Sequence, residues 1–255
     1  VSARRRLSSA LLLVLALTAG CVTALPTPRA PLSEEARRAV DLVRERWQAF
    51  SDFRGLADIL VERGSRKERF TGVLLLKAPD SVRFEALSPF GQPLLIATIH
   101  DRQLVAYDAA THTATTGAAT PETTARLFWL AVEPDDLVGV LAGYSVPPRN
   151  LRAATVQPPD EHGPSLEMIG ALHRQRVWMD FTTGVVHRLL ITGGRVEVLA
   201  VYQRLEDGSP SGIELSAQGY VSGTVRYRDV RLDTGIDTER FQLAIPAGAA
   251  VERLR

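Results

Sequence analysis

From Phe53 onward, apolar and polar residues alternate in one short run after another, and most runs are closed by a turn signal. Successive side chains of a strand point to opposite faces, so each run buries one face and wets the other. The stretch 53–63 reads as a strand, Gly64-Ser65-Arg66-Lys67 as its turn and 68–77 as its partner. Ala78-Pro79-Asp80 breaks the pattern, and 81–87 then sets Val82, Phe84 and Ala86 against Arg83 and Glu85. Stretches 94–99 and 103–107 continue it. It resumes at 165–169, 174–181, 185–191, 196–204, 212–218 and 224–232, with a final strand at 241–246. Thr182-Thr183-Gly184, Gly193-Gly194 and Asp207-Gly208-Ser209-Pro210 separate these runs. Many short strands with tight connections build a barrel or a strongly curved sheet. The expectation is a mainly β, α+β fold: a half-open antiparallel barrel of ten to eleven strands.

Two segments have a helical period instead. Ser33 is a natural N-cap, Glu34 and Glu35 suit the first turn, and Ala36, Val40, Val43, Trp47 and Phe50 share one face. In the middle, a segment from Thr120 or Glu122 gathers Leu127, Phe128, Leu130 and Ala131, and Pro134-Asp135-Asp136 opens a second short helix. Pro147-Pro148 and residues 157–164 read as loops. The N-terminal helix and this insert are placed to cover the barrel's open mouth.

The N-terminus belongs to a different class of segment. Arg4-Arg5-Arg6 precedes an apolar run from Leu7 to Leu17, and Leu17-Thr18-Ala19-Gly20-Cys21 follows. A basic start, a short apolar run and small residues make a secretory signal. The run is too short for a membrane span, which takes about 20 apolar residues. Small residues leading into Cys21, the chain's single cysteine, resemble a bacterial lipobox. That resemblance implies cleavage before Cys21, diacylglycerol on its thiol and an N-acyl chain on the new amino group. Two or more acyl chains anchor stably where one is marginal. The organisation expected is a signal at 1–20, a lipidated, proline-rich tether at 21–32 and one domain at 33–255, with no other cofactor.

Without the first 20 residues, 235 remain, enough for one domain with a sizeable core at 45% hydrophobic content. Removing Arg4, Arg5 and Arg6 leaves 27 basic against 29 acidic residues, so the formal +1 becomes −2. The basic field that drives nucleic-acid binding is absent. The expected partners are membrane lipid and lipoproteins or their periplasmic carrier, with the protein itself a monomer.

No catalytic motif stands out. The histidines 100, 112, 162, 173 and 187 lack zinc-site spacing, and no Gly-x-Ser-x-Gly elbow occurs. Glu133, Asp135 and Asp136 could hold a cation, but acids at a helix start are the plainer reading. No enzyme and no metal site are expected. The unusual turn is Ser88-Pro89-Phe90-Gly91, which matches a type I turn with Phe90 at its tip. Turn chemistry leaves two readings: Phe90 faces a bilayer or partner, or it folds back onto Leu94 or Leu95.

The helix, Phe53-Arg54-Gly55, the strand ending in residues 79–85, the Pro89-Phe90-Gly91 turn and the terminal residues 241–246 together resemble a LolB-type outer-membrane lipoprotein of the LolA/LolB superfamily. The resemblance implies a half-barrel whose apolar cavity takes acyl chains. It implies a loop at Pro89, Phe90 and Gly91 that assists membrane insertion, and delivery of lipids or lipoproteins at the periplasmic face of the outer membrane. Val22 stands where an aspartate would signal inner-membrane retention. Exposing a palmitate-length chain to water costs about 12 kcal/mol at about 0.8 per methylene, so a carrier needs a dry cavity. Its expected lining is Trp47, Phe50, Ile59, Val61, Leu74, Leu76, Phe84, Leu127, Phe128, Leu130, Trp178 and Ile191. The rival expectation is an envelope-assembly lipoprotein whose barrel docks proteins and holds no cavity.

Overall fold

The computed structural model describes residues 31–193, 197–217 and 221–254. Cys21, the signal and most of the tether lie outside the described residues, as do Gly194, Val196 and Gln218. Residues 32–255 form one compact unit.

Helix α1 (Glu34–Ala49) starts where its caps predict. The Ser33 hydroxyl accepts the Ala36 N–H at 3.1 Å, and Glu34 and Glu35 fill the first turn. Its buried stripe is Ala36, Ala39, Val40 and Val43, packed on the strands β7 (Ala153–Asp160) and β8 (Gly163–Ile169).

The N-terminal meander is β1 (Asp52–Arg63), β2 (Arg66–Lys77), β3 (Ser81–Leu87), β4 (Pro93–His100), β5 (Gln103–Asp108) and β6 (Thr113–Ala118). The β1–β2 turn is only Gly64-Ser65, because Arg66 and Lys67 already pair with Arg63 and Glu62. Helices α2 (Pro121–Phe128) and α3 (Pro134–Ala142) follow. The C-terminal meander then runs β7, β8, β9 (Arg174–Met179), β10 (Val186–Thr192), β11 (Val198–Arg204), β12 (Pro210–Ala217) and β13 (Val221–Leu232). A short β14 (Ala250–Arg253) ends it.

All fourteen strands described join one sheet, in the order β14-β6-β5-β4-β3-β2-β1-β13-β12-β11-β10-β9-β8-β7. The long strands of the two meanders meet at a seam, where β1 pairs with β13, and the C-terminal β14 adds to β6 at the far edge. The sheet does not close, since β14 and β7 are its free edges. The fold is therefore the expected half-open antiparallel barrel, with more strands than the ten to eleven read from sequence. β6, β7 and β14 are additional. β7 reaches Asp160, so much of the expected loop at 157–164 is strand. It accommodates Pro158 and Pro159 because an edge strand needs no second ladder.

The expected final strand at 241–246 is a correction. The Asp237 carboxylate accepts the Glu239 N–H at 3.0 Å and starts a 3-10 turn, Thr238–Phe241. That turn drops Phe241, fully buried, beside the His100 ring. No strand occupies residues 242–249, and β14 pairs with β6 in parallel.

The concave side is filled mainly by α3, whose Leu137, Val138, Val140 and Ala142 are all buried. Tyr227 holds α3 by donating its hydroxyl to the Leu141 carbonyl at 2.6 Å, and Arg204 donates to the Gly143 carbonyl just past the helix at 2.6 Å. Asp52, at the foot of β1, fixes the chain after β13. Its carboxylate accepts from Thr234 N, Thr234 Oγ1, Gly235 N and Ile236 N at 2.9–3.3 Å. Burial pushes this carboxyl up, but those hydrogen bonds and one from Ser51 hold it below the ordinary aspartate value.

Candidate functional site

One end of the concave face is left unfilled. A cavity of about 410 Å³ opens there, within the range of about 300–1,000 Å³ usual for small-molecule sites. Its floor combines Ala57, Ile59 and Val61 of β1, Phe70 and Leu74 of β2, Phe84 and Ala86 of β3, and Leu95 of β4. Across the seam it continues through Leu215 and Ala217 of β12 and Gly223 and Val225 of β13. Leu127, Phe128, Trp129 and Leu130, at the end of α2, form the roof with Leu141 of α3. Glu68 is the one charged residue of this lining.

The space comes from small side chains. Ala57, Ala86 and Ala217 face inward where larger residues would meet in the middle. A Cβ on Gly223 would lie 2.9 Å from the Leu60 carbonyl oxygen. A Cβ on Gly72 would lie 2.5 Å from the Phe84 ring, which is free to turn edge-on to Phe70 at 5.9 Å between centroids. The roof is slight. Helix α2 has two turns, too few to be stable alone. It is held by a reciprocal cap between Thr120 and Thr123 and by Thr124, whose hydroxyl donates to the Val132 carbonyl at 2.8 Å. Leu127 and Phe128 remain half-buried.

Of the expected lining, the fold brings Ile59, Val61, Leu74, Phe84, Leu127, Phe128 and Leu130 together around this space. It places five others elsewhere. Trp47 and Phe50 stack at 5.6 Å and meet Tyr144 under α1. Leu76 and Ile191 point inward but are ordinary core, further along the face where side chains fill the space. Trp178 has the opposite parity to Val177 and Met179. It donates Nε1 to Asp160 at 3.0 Å between the guanidiniums of Arg176 and Arg188, so it straps the β7–β8 hairpin from outside. Sequence reasoning missed Ala57, Phe70, Ala86, Leu95 and Gly223. Strand parity with Ile59, Leu74 and Phe84 was the available signal for the first three.

The Phe90 turn stands beside this cavity. Gly91 donates its N–H to the Ser88 carbonyl at 2.9 Å, closing the expected turn, with Gly91 at φ 77. The Ser88 hydroxyl accepts from Phe90 N and Gln92 N. Phe90 is 91% exposed and does not fold back, and Leu94 after it is 48% exposed. The strands on either side of this turn carry Ala86, Leu94 and Leu95 into the cavity wall.

The acidic cluster flagged in the sequence is a helix start with buried partners. Asp136 accepts from Gln175 Nε2 at 2.9 Å and lies 3.3 Å from His173 Nε2. Burial drives its carboxyl well up, and neighbouring Asp135 and Glu133 add to this. Burial lowers His173. Asp135 pairs with Arg149 at 3.1 Å. Among the described residues no group of three or more His, Cys, Asp or Glu is placed to hold a metal ion. No described helix is long and apolar enough to cross a membrane.

No protein-family model and no curated protein matches this sequence. Solved structures do match its fold. A DUF1329 family protein from Desulfovibrio piger superimposes with a TM-score of 0.59 at 12% identity, over 82% of this chain and 98% of that one. A LolA superfamily protein from Nitrosomonas europaea gives 0.57 at 12% identity, over 82% and 97%. At these identities the likeness is one of fold, and the architecture is LolA-like. A Vibrio parahaemolyticus domain described as a putative outer membrane lipoprotein-sorting protein also superimposes, with a TM-score of 0.56 at 13% identity, over 81% of this chain and 97% of that one. In all three the match runs through nearly the whole of the neighbour.

Proposed function

We propose that this chain is a lipid-anchored envelope protein that takes acyl chains of lipids or lipoproteins into its cavity and passes them to the outer membrane. One observation carries this reading: an apolar cavity of about 410 Å³ opens beneath a slight helical roof and beside a fully presented aromatic tip. An acyl chain needs a dry wall, and release needs a wall without strong polar grips. The LolA-like fold and a fold neighbour described as sorting lipoproteins support the same assignment. In this reading Cys21 bears the anchor and Phe90, held out by Pro89 and Gly91, enters the bilayer as a LolB-like insertion tip. The protein acts as a monomer on the periplasmic face, without covalent chemistry or cofactor, and receives cargo from a lipoprotein carrier.

Native mass spectrometry tests it. A soluble chain beginning at Val22, exported with a cleavable signal, is expected to carry co-purified lipid or lipopeptide mass or to take up added palmitoyl ligand. Phe90→Glu is expected to keep that uptake while slowing delivery to vesicles. A clean apo mass with no uptake moves the assignment to a protein-docking module.

A further inference from the structure

The β1–β2 hairpin runs out along the same rim as Phe90. Thr71 pairs with Leu87, so the Ser88–Gln92 turn lies alongside the part of β2 that begins at Phe70 and Arg69 and runs back to Arg66. Arg63, Arg66, Lys67 and Arg69 are all exposed there. Glu62 pairs with Lys67 at 2.7 Å, whereas Arg63, Arg66 and Arg69 have no ion-pair partner among the described residues. Arg63 and Arg66 stand directly opposite each other across the ladder. Like charges in that register destabilise a hairpin, and a bound anion relieves the repulsion. By parity these two continue the cavity face past Val61, while Lys67 and Arg69 face outward, so the tip is cationic on both sides. Residues 62–69 hold four basic and two acidic side chains, whereas the chain after residue 20 holds 27 basic and 29 acidic.

We infer that this hairpin is a cationic foot that docks on an anionic lipid surface while Phe90 enters the apolar layer. The inference rests on the reading of Phe90 as a membrane-facing tip. The pairing is physically economical: basic residues act through the surface potential before contact, and an apolar tip acts only after it. Charge complementarity names the partner, since three unpaired guanidiniums at one rim match phosphate-bearing headgroups.

The soluble chain from Val22 serves for the test, because residues 32–255 form a compact unit that holds the described core. Its co-sedimentation is measured with phosphatidylcholine vesicles, with and without about 30% phosphatidylglycerol, at about 0.05 M and about 0.5 M salt. Each basic residue near an anionic surface contributes about fivefold. The expected result is at least about a tenfold preference for anionic vesicles at low salt, erased at high salt. Arg63→Gln/Arg66→Gln/Arg69→Gln should bind both vesicles alike, and the corresponding triple lysine variant should restore the preference. Equal binding of the unaltered chain to both vesicles, or an undiminished preference in the triple glutamine variant, overturns the foot. Phe90→Ser separates the two ideas. If it lowers binding to both vesicles by the same factor, tip and foot both stand. If it changes nothing while the arginine effect remains, the tip reading fails and the cationic surface survives it. Matching thermal melts show that exposed substitutions have left the fold intact.

Discussion

The two ends of the concave face use the same alternation and come out differently. Along β8, β9 and β10, Leu166, Met168, Val177 and Leu189 project inward and are buried to 2% exposure or less beneath α1 and α3. Along β1, β3, β12 and β13, Ala57, Ala86, Ala217 and Gly223 project inward at the other end and leave an open volume under α2. Pattern is equal in the two regions, and side-chain size and the strength of the cover are not. A core and a cavity are thus the same architectural statement with different residue volumes.

Paired deletions attack this comparison most directly. Leu166→Ala is expected to remove about 3 kcal/mol of stability, because it hollows a closed core. Leu127→Ala should cost less than about 1 kcal/mol, since its side chain borders space that is already open. Urea unfolding of the two variants measures both, and equal losses would mean that the two regions are packed alike. Filling is the complementary change. Ala86→Trp is expected to lower acyl uptake at least about tenfold while shifting stability by no more than about 1 kcal/mol. A fluorescent fatty acid reports the first and a thermal melt the second, and a collapse in stability would reveal a wall already packed to capacity.

A smaller effect sharpens the contrast from the filled side. Burial keeps Asp136 protonated in the fold above the ordinary carboxylate range. The folded chain therefore holds a proton that the unfolded chain releases above about pH 4, so this residue's contribution falls as pH rises from there towards its folded value. Asp136→Asn lacks that proton, and its stability relative to the parent should climb through the same window and then level off. Buried His173 runs the other way, since its lowered value makes its contribution grow as pH approaches about 6.5. Melts at half-unit pH steps test both slopes, and parallel curves for Asp136→Asn and the parent would mean that the Asp136 carboxyl is not raised in the fold.

Much of this fold is legible in the chain because the signals are local. Ser33 caps α1, Pro134 opens α3, and glycines at 64, 91 and 208 sit at positive φ in their turns. The strands that escaped lack such signals. β6 reads Thr-Ala-Thr-Thr-Gly-Ala, with only Ala114 as its buried apolar residue, and β7 carries two prolines that only its edge position permits. The terminal run at 241–246 alternates like a strand, but the Asp237 cap and the burial of Phe241 beside His100 override the alternation. Parity pointed to Ile59, Val61, Leu74 and Phe84 as inward residues. It could not separate Leu76 or Ile191 from them, because what distinguishes a wall from a core lies across the barrel. Phe90 was undecided on turn chemistry, and in the fold its ring stands exposed rather than folded onto Leu94 or Leu95.

The seam between β1 and β13 has a consequence for how the protein is made. Phe53 pairs with Leu232 and Ile59 with Val225, so the two meanders join only through residues far apart in the chain. The cavity straddles that seam, with β1–β4 on one side and β12–β13 on the other. Contacts of such long range form late, after the local hairpins. During synthesis, then, the emerging chain can build its first meander while still lacking one side of the cavity wall. The cavity wall is therefore complete only once the final long strand, β13, has joined β1.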